Sequence, residues 1–218
     1  MSTPRVHLVL ASASPARRAT LKAAGIDPTV MVSNVDEDAA LSDAVARLGP
    51  LQPADVALLL ARLKSEAVAA ELTSTGLVLG CDSVLELDGE AHGKPVDAGH
   101  AVERWRRMRG RTGVLHTGHW LRDQREDRAG GTGATLGATA STTVHFAQLS
   151  DAEIDAYVAS GEPLRVAGAF TVDGLGGAFV DGIEGDHHNV VGLSLPLLRR
   201  LLAQVGVGWY DVAAPHPV

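Results

Sequence analysis

Residues 8–25, LVLASASPARRATLKAAG, combine a short apolar run, a turn of small residues and the start of a helix. The run LVL predicts a buried β-strand. Residues 11–14 are too small to fill a core, so they predict a turn whose backbone N–H groups stay open to a ligand. Pro15 suits the first position of a helix, with Ser14 as its N-cap. The stretch therefore predicts a strand, a turn and a helix at the start of an α/β domain.

Two arginines, Arg17 and Arg18, follow in the opening turn of that helix. A cation there opposes the helix dipole, so an anion is expected nearby. This arrangement is typical of a phosphate site. An ordinary strand-turn-helix with two solvated arginines is the alternative, because the glycine-rich loop of P-loop proteins is absent. These residues alone leave both interpretations open.

The composition predicts one globular domain. The chain has 218 residues, of which 45% are hydrophobic and only 4% aromatic, so the core should consist of Ala, Val and Leu. The single cysteine, Cys81, excludes an internal disulfide and a multi-cysteine zinc site. The apolar runs are shorter than the ~18 residues of a membrane span, and the first is too short for a secretory signal. A cytoplasmic protein without a membrane partner is therefore expected. The net charge of −7 argues against a nucleic-acid partner.

The hydrophobic pattern predicts a mixed, strongly twisted sheet with helices, since a long antiparallel hairpin joins otherwise alternating elements. Strands are expected at residues 6–10, 29–35, 77–87, 113–121, 138–147, 165–172 and 177–183. Helices are expected after Pro15, over 43–73 with a break at 49–53, over 97–110, after Ser150 and over 195–202. The glycine-rich segment within 122–137 is expected to form a flexible hairpin tip, and the tail after Val205 an ill-ordered extension.

Two groups of charged residues are candidates for a metal or phosphate site. Asp36, Glu37 and Asp38 follow a predicted strand, where they form either a solvated turn or the ligands of a hard cation. From the residues alone, the solvated turn is favoured. Lys64 borders the apolar stripe of a helix, from which a lysine often extends to water.

Asp82 is hard to explain structurally, because it follows the apolar run 77–79 directly. A carboxylate buried there without a partner would cost several kcal/mol. The turn Asp88-Gly89 predicts a hairpin that returns the chain to Lys94, which is therefore the expected partner of Asp82.

Three further groups follow later in the chain. The arginines of the helix at 97–110 are expected to point mostly outward: Arg104, Arg106, Arg107 and Arg109. Asp173 opens a glycine-rich loop in which a flat ligand could approach the backbone. His187 and His188 should point in different directions in an extended chain, so joint binding of one metal ion is not expected.

Six motifs of this sequence together resemble the Maf family of nucleoside triphosphate pyrophosphatases over nearly the whole chain. They are Ser-Ala-Ser-Pro-Ala-Arg, Val-Asp-Glu, Ala-Arg-Leu-Lys-Ser, Gly-Cys-Asp-Ser-Val with Gly-Lys-Pro, Ala-Gly-Ala-Phe and Asn-Val-Val-Gly-Leu. The resemblance implies the two-lobed fold that this family shares with inosine triphosphate pyrophosphatases, with a cleft between the lobes. It also implies a single domain over 5–205, a tail over 206–218 and a homodimer.

The implied activity is hydrolysis of a nucleoside triphosphate to the monophosphate and pyrophosphate, as house-cleaning of nucleotide pools. A divalent cation, Mg²⁺ or Mn²⁺, is the implied cofactor, with Glu37 as its ligand. The resemblance assigns catalysis to four residues: Arg17, Lys64, Asp82 and Lys94. It assigns substrate binding to four more: Ser12, Ser14, Ser83 and Asp173. Asp82 is the expected acceptor of the proton of the attacking water.

Two alternatives compete with that activity. The chain could be a regulator of cell division that binds a nucleotide without turnover, although a carboxylate among phosphate-binding cations then has no purpose. A phosphatase with Ser12 or Ser14 as nucleophile lacks a histidine nearby in the sequence to act as base.

The base specificity is open, because Asp173 matches neither family branch that the motifs resemble, one with glutamine and one with glutamate at this place. A carboxylate accepts hydrogen bonds and so suits the N–H edge of guanine. Equally, Asp173 could only cap the turn at Gly174.

Overall fold

The computed structural model describes residues 6–214. Its strands are β1 (Leu8–Ala11), β2 (Thr29–Val30), β3 (Leu77–Leu87), β4 (Glu90–His92), β5 (Thr112–Asp123), β6 (Thr135–Phe146) and β7 (Val180–Glu184). Its α-helices are α1 (Pro15–Ala23), α2 (Glu37–Leu48), α3 (Pro53–Glu71), α4 (Ala98–Met108), α5 (Asp151–Ala159), α6 (His187–Val191), α7 (Leu195–Gln204) and α8 (Trp209–Val212). Short 3₁₀ turns lie at Asp127–Ala129, Pro163–Arg165, Ala167–Ala169 and Leu175–Phe179. Within residues 6–214, none of the helices combines the length and the hydropathy that a membrane crossing requires.

The strands form one seven-stranded mixed sheet in the order β2-β1-β3-β5-β6-β7, with β4 added beside β3. β2, β1 and β3 run parallel, whereas β5, β6 and β7 continue the sheet in antiparallel fashion. Helices cover this sheet, which confirms the predicted α/β class with a mixed sheet.

The long strand β3 contributes to two large hydrophobic cores, and its Val78 packs against α3 in a smaller third one. Leu77, Leu79 and Cys81 pack with α1 and α7 in the first core, whereas Leu85 and Leu87 pack with α4 and α5 in the second. Residues 82 and 83 lie between the two sets and are polar. β3 therefore connects the two large cores, whereas the division into two lobes that the resemblance implies stays a prediction.

One edge of β3 is interrupted between the lobes. β5 pairs with β3 along its length on one side, so β1 and β4 share the other side. Along β3, pairing with β1 ends at Gly80, and pairing with β4 starts at Leu85. Residues 81–84 therefore have no strand partner on that edge, and side chains of neighbouring elements can reach the strand there.

Helix α3 lies unusually close to the sheet because two glycines face it. A Cβ atom on Gly80 would lie 2.1 Å from the carbonyl oxygen of Ala61, and one on Gly118 would lie 2.3 Å from that of Ala57. Both contacts are with the helix backbone, which could not give way without moving α3. This close approach places Lys64 of α3 beside Asp82 of β3.

Three predicted strands differ from the structure. The strand expected at 165–172 is wrong, because the segment forms 3₁₀ turns around Gly168, whose φ is +73°. The strand expected at 29–35 ends at Val30, and the one expected at 177–183 begins only at Val180. Short apolar runs with glycine fit a strand and a tight turn equally well, so periodicity does not separate them.

The tail is also more ordered than expected up to residue 214. Val207, Val212 and Ala213 are buried in the first core, and the N–H of Ala214 donates to the carbonyl oxygen of Gly25. The expectation of an ill-ordered extension is therefore wrong for 206–214. Residue 5 and residues 215–218 lie outside the described residues, so the domain limits 5–205 stay a prediction.

The polar tip between β5 and β6 is organised rather than loose. Asp123, which is 2% exposed, accepts hydrogen bonds from Arg125 and Thr132 across the loop. Arg125 in turn donates to the carbonyl oxygen of Val205 at 2.8 Å. The glycine content of this loop indicated flexibility, whereas a buried carboxylate holds its two ends together.

Candidate active site

The predicted turn before α1 has the expected local structure. Ser14 is the N-cap of α1, and its Oγ accepts from the N–H of Arg17 at 3.3 Å, with Pro15 as the first helical residue. The Oγ of Ser12 accepts from the N–H of Ser14 at 3.2 Å and from Nη1 of Arg17 at 2.9 Å. Both serine hydroxyls thus hold the turn itself in place.

Arg17 fills the interrupted edge of β3. Its side chain is buried and donates to the carbonyl oxygens of Gly192 at 2.7 Å and Cys81 at 2.9 Å. Nη2 donates to the Oγ of Ser83 at 2.9 Å. With the bond to Ser12, four of the five guanidinium N–H groups have neutral acceptors within the chain. Arg17 is in no ion pair within residues 6–214, although its buried charge acts on the nearby carboxylate of Asp82.

Ser83 links Arg17 to a chain of buried hydrogen bonds. Thr117 donates its hydroxyl proton to the carbonyl oxygen of Asn189 at 3.1 Å, so Ser83 donates to Thr117 at 2.9 Å. The hydroxyl of Ser83 therefore joins the buried network of Arg17. Sequence reasoning missed Thr117 and Gly192, because they lie far from Arg17 along the chain.

Lys64 lies between two of the predicted carboxylates. Its Nζ is 2.5 Å from Oδ1 of Asp82 and 2.8 Å from Oε1 of Glu37. The side chains of Lys64 and Asp82 are only 12% and 11% exposed, whereas that of Glu37 is 45% exposed. Three residues from three separate segments are thus brought into one cluster, which we call the acid-lysine cluster.

Burial raises the pKa of Asp82 above its ordinary value, while the positive charges of Lys64 and Arg17 oppose this shift. Within the described residues, Lys64 is the one hydrogen-bond donor to Asp82. The second carboxylate oxygen is therefore unused, which favours a carboxylate that can accept a proton.

Glu37 reaches the cluster from a helix rather than from a strand end. Asp36 is the N-cap of α2, and its Oδ1 accepts from the N–H of Ala39 at 3.0 Å. Glu37 is the first residue of α2. The predicted strand end is thus a helix start, where acidic residues are favoured by the helix dipole.

Lys94 does not make the predicted contact with Asp82. It is exposed in the segment after β4 and is in no ion pair of the described chain. The partner of Asp82 is Lys64 instead. His92 pairs with Leu85, so the chain continues from β4 towards the interrupted edge of β3. Lys94 is therefore an exposed cation that follows β4, and it is not the partner of Asp82.

The loop before Lys94 is fixed by an arginine that was expected to point outward. Arg104 is only 4% exposed, and its Nη1 donates to the carbonyl oxygen of Gly93 at 2.6 Å. The N–H of Gly168 donates to the same oxygen at 3.1 Å. Burial lowers the pKa of Arg104, with the nearby charge of Arg107 adding to the shift.

Asp173 is exposed in a loop that a different residue organises. Glu162 accepts from the hydroxyl of Tyr157 and from the N–H groups of Leu175 and Gly176, each at 3.0 Å. Burial opposes the ionisation of Glu162, but these hydrogen bonds and one from Thr171 outweigh it and lower its pKa. The hydrogen bonds and ion pairs of the described residues do not connect Asp173 to the acid-lysine cluster.

A cavity of about 370 Å³ lies at the start of α1. Its walls include Ser12, Ser14, Arg18 and Lys22, together with Val30 of β2. Arg18 is exposed on this cavity, whereas Arg17 points into the protein. The sequence pattern assigned both arginines to one phosphate site, but the structure gives them different surroundings.

A mixed α/β fold with cations and carboxylates gathered at an interrupted strand edge defines a protein that handles anionic ligands. The comparison with known families is more specific, since the Maf-like protein family matches residues 7–205. This chain belongs to the Maf family.

Curated relatives named "Nucleoside triphosphate pyrophosphatase" match this chain over nearly their whole length. The protein of Salinispora tropica is 56% identical over 220 residues, which cover 97% of this chain and 91% of that one. The protein of Streptomyces coelicolor is 54% identical, covering 97% of both chains. That of Nostoc punctiforme is 48% identical, covering 94% of both. Among solved structures, the Staphylococcus aureus Ham1 protein matches 65% of this chain and 72% of its own at 19% identity and a TM-score of 0.38.

Proposed function

We propose that this protein hydrolyses a nucleoside triphosphate to the nucleoside monophosphate and pyrophosphate. The relatives that carry this name are 48–56% identical to the chain. The observation that carries the proposal is the acid-lysine cluster, in which Lys64 links Asp82 and Glu37 beside the buried guanidinium of Arg17. Carboxylates and cations in one place suit a reaction that needs both a base and charge neutralisation.

In the proposed reaction, the oxygen of a water molecule attacks the α-phosphorus. The bond between this phosphorus and the oxygen that bridges to the β-phosphate breaks, and pyrophosphate leaves. Asp82 accepts the proton of the water, for which its raised pKa makes it a better base than an ordinary aspartate. Lys64 donates to Asp82 and thereby orients the accepting carboxylate.

Cations on several elements would hold the phosphates. Lys64 and Lys94 are the proposed ligands of the triphosphate, together with the turn of residues 12–14. Because most donors of Arg17 are used within the protein, we assign its contribution to electrostatic attraction and to holding Ser12 and Ser83 in position. Arg18, exposed on the cavity beside the same turn, is the more accessible guanidinium.

Mg²⁺ or Mn²⁺ is the proposed cofactor, and the residues of the cluster fit it. Glu37 and Asp82 both face one ammonium group, which shows that their oxygens converge on a cation. Carboxylate oxygens are the donors that hard divalent cations prefer. Glu37, the more exposed of the two, would hold the ion. Such an ion would neutralise phosphate charge when bound.

Asp173 is the proposed contact to the base. Glu162 holds its loop through the backbone N–H groups of Leu175 and Gly176, and the side chain of Asp173 is exposed to a ligand. A carboxylate there would accept hydrogen bonds from the N–H edge of guanine. A cytoplasmic homodimer is proposed from the family resemblance, and the molar mass in solution tests the dimer.

The deciding experiment is incubation of the purified protein with a panel of nucleoside triphosphates and Mg²⁺, followed by measurement of both products. We expect equal amounts of pyrophosphate and monophosphate. Orthophosphate as the first product would contradict the proposed bond cleavage. Binding of nucleotides without any product would favour the regulator of cell division.

A further inference from the structure

Arg104 of α4 is a buried cation whose partners are neutral. Within residues 6–214, its guanidinium contacts the carbonyl oxygen of Gly93 at 2.6 Å and Nε2 of His100 at 3.4 Å. Its Nε is a buried donor without a hydrogen-bond partner among the same residues. Burial lowers the pKa of Arg104, because the ionised form is disfavoured there. Such a charge costs stability, so the stability of the fold does not explain why an arginine lies here.

The oxygen that Arg104 holds belongs to the peptide unit that leads into Lys94. The carbonyl group of Gly93 and the N–H group of Lys94 lie in one rigid plane. Pro95 follows Lys94 and restricts its backbone to extended conformations. Gly93 is therefore the flexible point of this segment, because glycine lacks a Cβ atom. The bond from Arg104 and a second one from the N–H of Gly168, at 3.1 Å, remove that freedom.

The support for this peptide unit comes from the second core. Trp105, the neighbour of Arg104, is fully buried there, and its Nε1 donates to the carbonyl oxygen of Ala169 at 2.8 Å. Ala169 directly follows Gly168, the other donor to Gly93. Both donors to the oxygen of Gly93 are thus fixed by packed elements. The segment that carries Lys94 is held from the core, although Lys94 itself is exposed.

We propose that Arg104 is a positioning residue for phosphate binding, which holds the backbone before Lys94 so that the ammonium group can meet the phosphates. A backbone that is already ordered leaves only the side chain of Lys94 to be immobilised on binding. Because Lys94 binds phosphate only under the proposed function, the role of Arg104 rests on that function. Arg104 thereby raises the affinity for phosphates while it lowers the stability of the fold.

The test is calorimetric titration with inorganic tripolyphosphate and Mg²⁺ in wild type, Arg104→Met, Lys94→Ala and the double variant. Methionine is unbranched and fills the space of the arginine stem, but it donates no hydrogen bond. We expect Arg104→Met to weaken binding about three- to tenfold, and to have no further effect once Lys94 is replaced. Its melting temperature should be unchanged or higher, whereas loss of a merely structural contact would lower it.

The matched control is Arg106→Met. Arg106 lies on the same helix, its side chain is 48% exposed, and its Nε lies 3.7 Å from Oδ1 of Asp151. Affinity for tripolyphosphate should be unchanged in this control.

Equal affinity of Arg104→Met and wild type would overturn the proposal, and so would an equal loss with and without Lys94. Absence of binding to wild type at millimolar tripolyphosphate would overturn it as well. The probe reports binding without hydrolysis of a nucleotide. Coupling between Arg104 and Lys94 in a wild-type protein that releases no pyrophosphate would therefore contradict the proposed hydrolysis and still support the role of Arg104.

Discussion

Asp82 and Asp123 are two buried aspartates of the same sheet, and each contacts a cation. Asp123 accepts five hydrogen bonds, three from Arg125 and two from Thr132. Asp82 accepts one, from Lys64. Burial alone would raise both pKa values, but the donors around Asp123 outweigh it and lower its pKa to about 2. Asp123, whose hydrogen-bonding capacity is filled, therefore stabilises the loop. Asp82 has one donor only, so its carboxylate can still accept a proton.

The largest effect is expected for Asp82→Asn. Asparagine keeps the size of the side chain and an oxygen for Lys64, but it does not accept the proton of the attacking water. Turnover should fall by about two to four decades. The melting temperature should be unchanged or higher, because a raised pKa means that the ionised carboxylate costs stability at neutral pH.

Steady-state pyrophosphate release and thermal unfolding of the same preparation would check this prediction. Near-normal turnover of Asp82→Asn would show that another group accepts the proton, with Glu37 as the leading candidate.

Asp123→Asn should have the opposite effect, a loss of stability without a loss of turnover. It removes the ion-pair partner of the nearly buried Arg125, so we expect the protein to lose about 3 kcal/mol of stability. Activity per folded molecule should be retained, because the loop lies outside the acid-lysine cluster. Urea unfolding measures the first effect, and the assay at a temperature well below the transition measures the second. A stable but inactive variant would contradict the separation of the two aspartates.

The pH dependence of stability follows from the same carboxylate. Since the pKa of Asp123 is about 2 in the fold and 3.8 in a free side chain, its contribution is present above pH 3.8 and is lost as the pH falls towards 2. This contribution is about 2 kcal/mol. Unfolding free energies of wild type should fall more steeply over this range than those of Asp123→Asn. Parallel curves would argue against the lowered pKa.

Lys94→Ala tests the corresponding difference between two lysines, Lys64 and Lys94. Unlike Lys64, Lys94 has no carboxylate partner within residues 6–214, so its loss should not affect stability. Removal of one phosphate ligand should raise KM for the nucleotide by about tenfold. Lys94→Arg, which keeps the charge, should recover part of the affinity. Unchanged pyrophosphate release at low substrate concentration would exclude a contact between Lys94 and the phosphates.

The smallest effect is expected for Asp173→Gln. Asp173 is an exposed carboxylate, unlike either buried aspartate, and a glutamine amide both donates and accepts. We expect the preference to shift from guanosine towards uridine or thymidine triphosphate. The measurement is the ratio of kcat/KM for a guanine and a pyrimidine triphosphate in both proteins. A ratio that does not change would place Asp173 outside the base pocket.

The sequence predicted the site where local signals were sufficient. Asp82 after an apolar strand and Lys64 beside an apolar helix stripe were each recognisable, and the structure places them in contact. The partner assigned to Asp82 was wrong because the hairpin at Asp88-Gly89 indicated Lys94. The deciding feature was the packing of α3 on Gly80, which sequence periodicity does not reveal.

Contacts between distant segments were not predictable either. Arg104 was expected in water because its helix carries several arginines, yet the loop of Gly93 covers it. Thr117 and Gly192 became recognisable as parts of the network only through their hydrogen bonds with Ser83 and Arg17. Single-sequence patterns describe faces of one element and do not specify which other element lies against them.

The hydrogen bond from Arg17 to Gly192 spans 175 residues of the chain. Gly192 leaves the ribosome long after the turn that contains Arg17 has been made. A growing chain that has not reached Gly192 therefore offers Arg17 the acceptors of Ser12, Cys81 and Ser83 but not the fourth one. Assembly of the site must wait for the late folding steps that high sequence separation imposes.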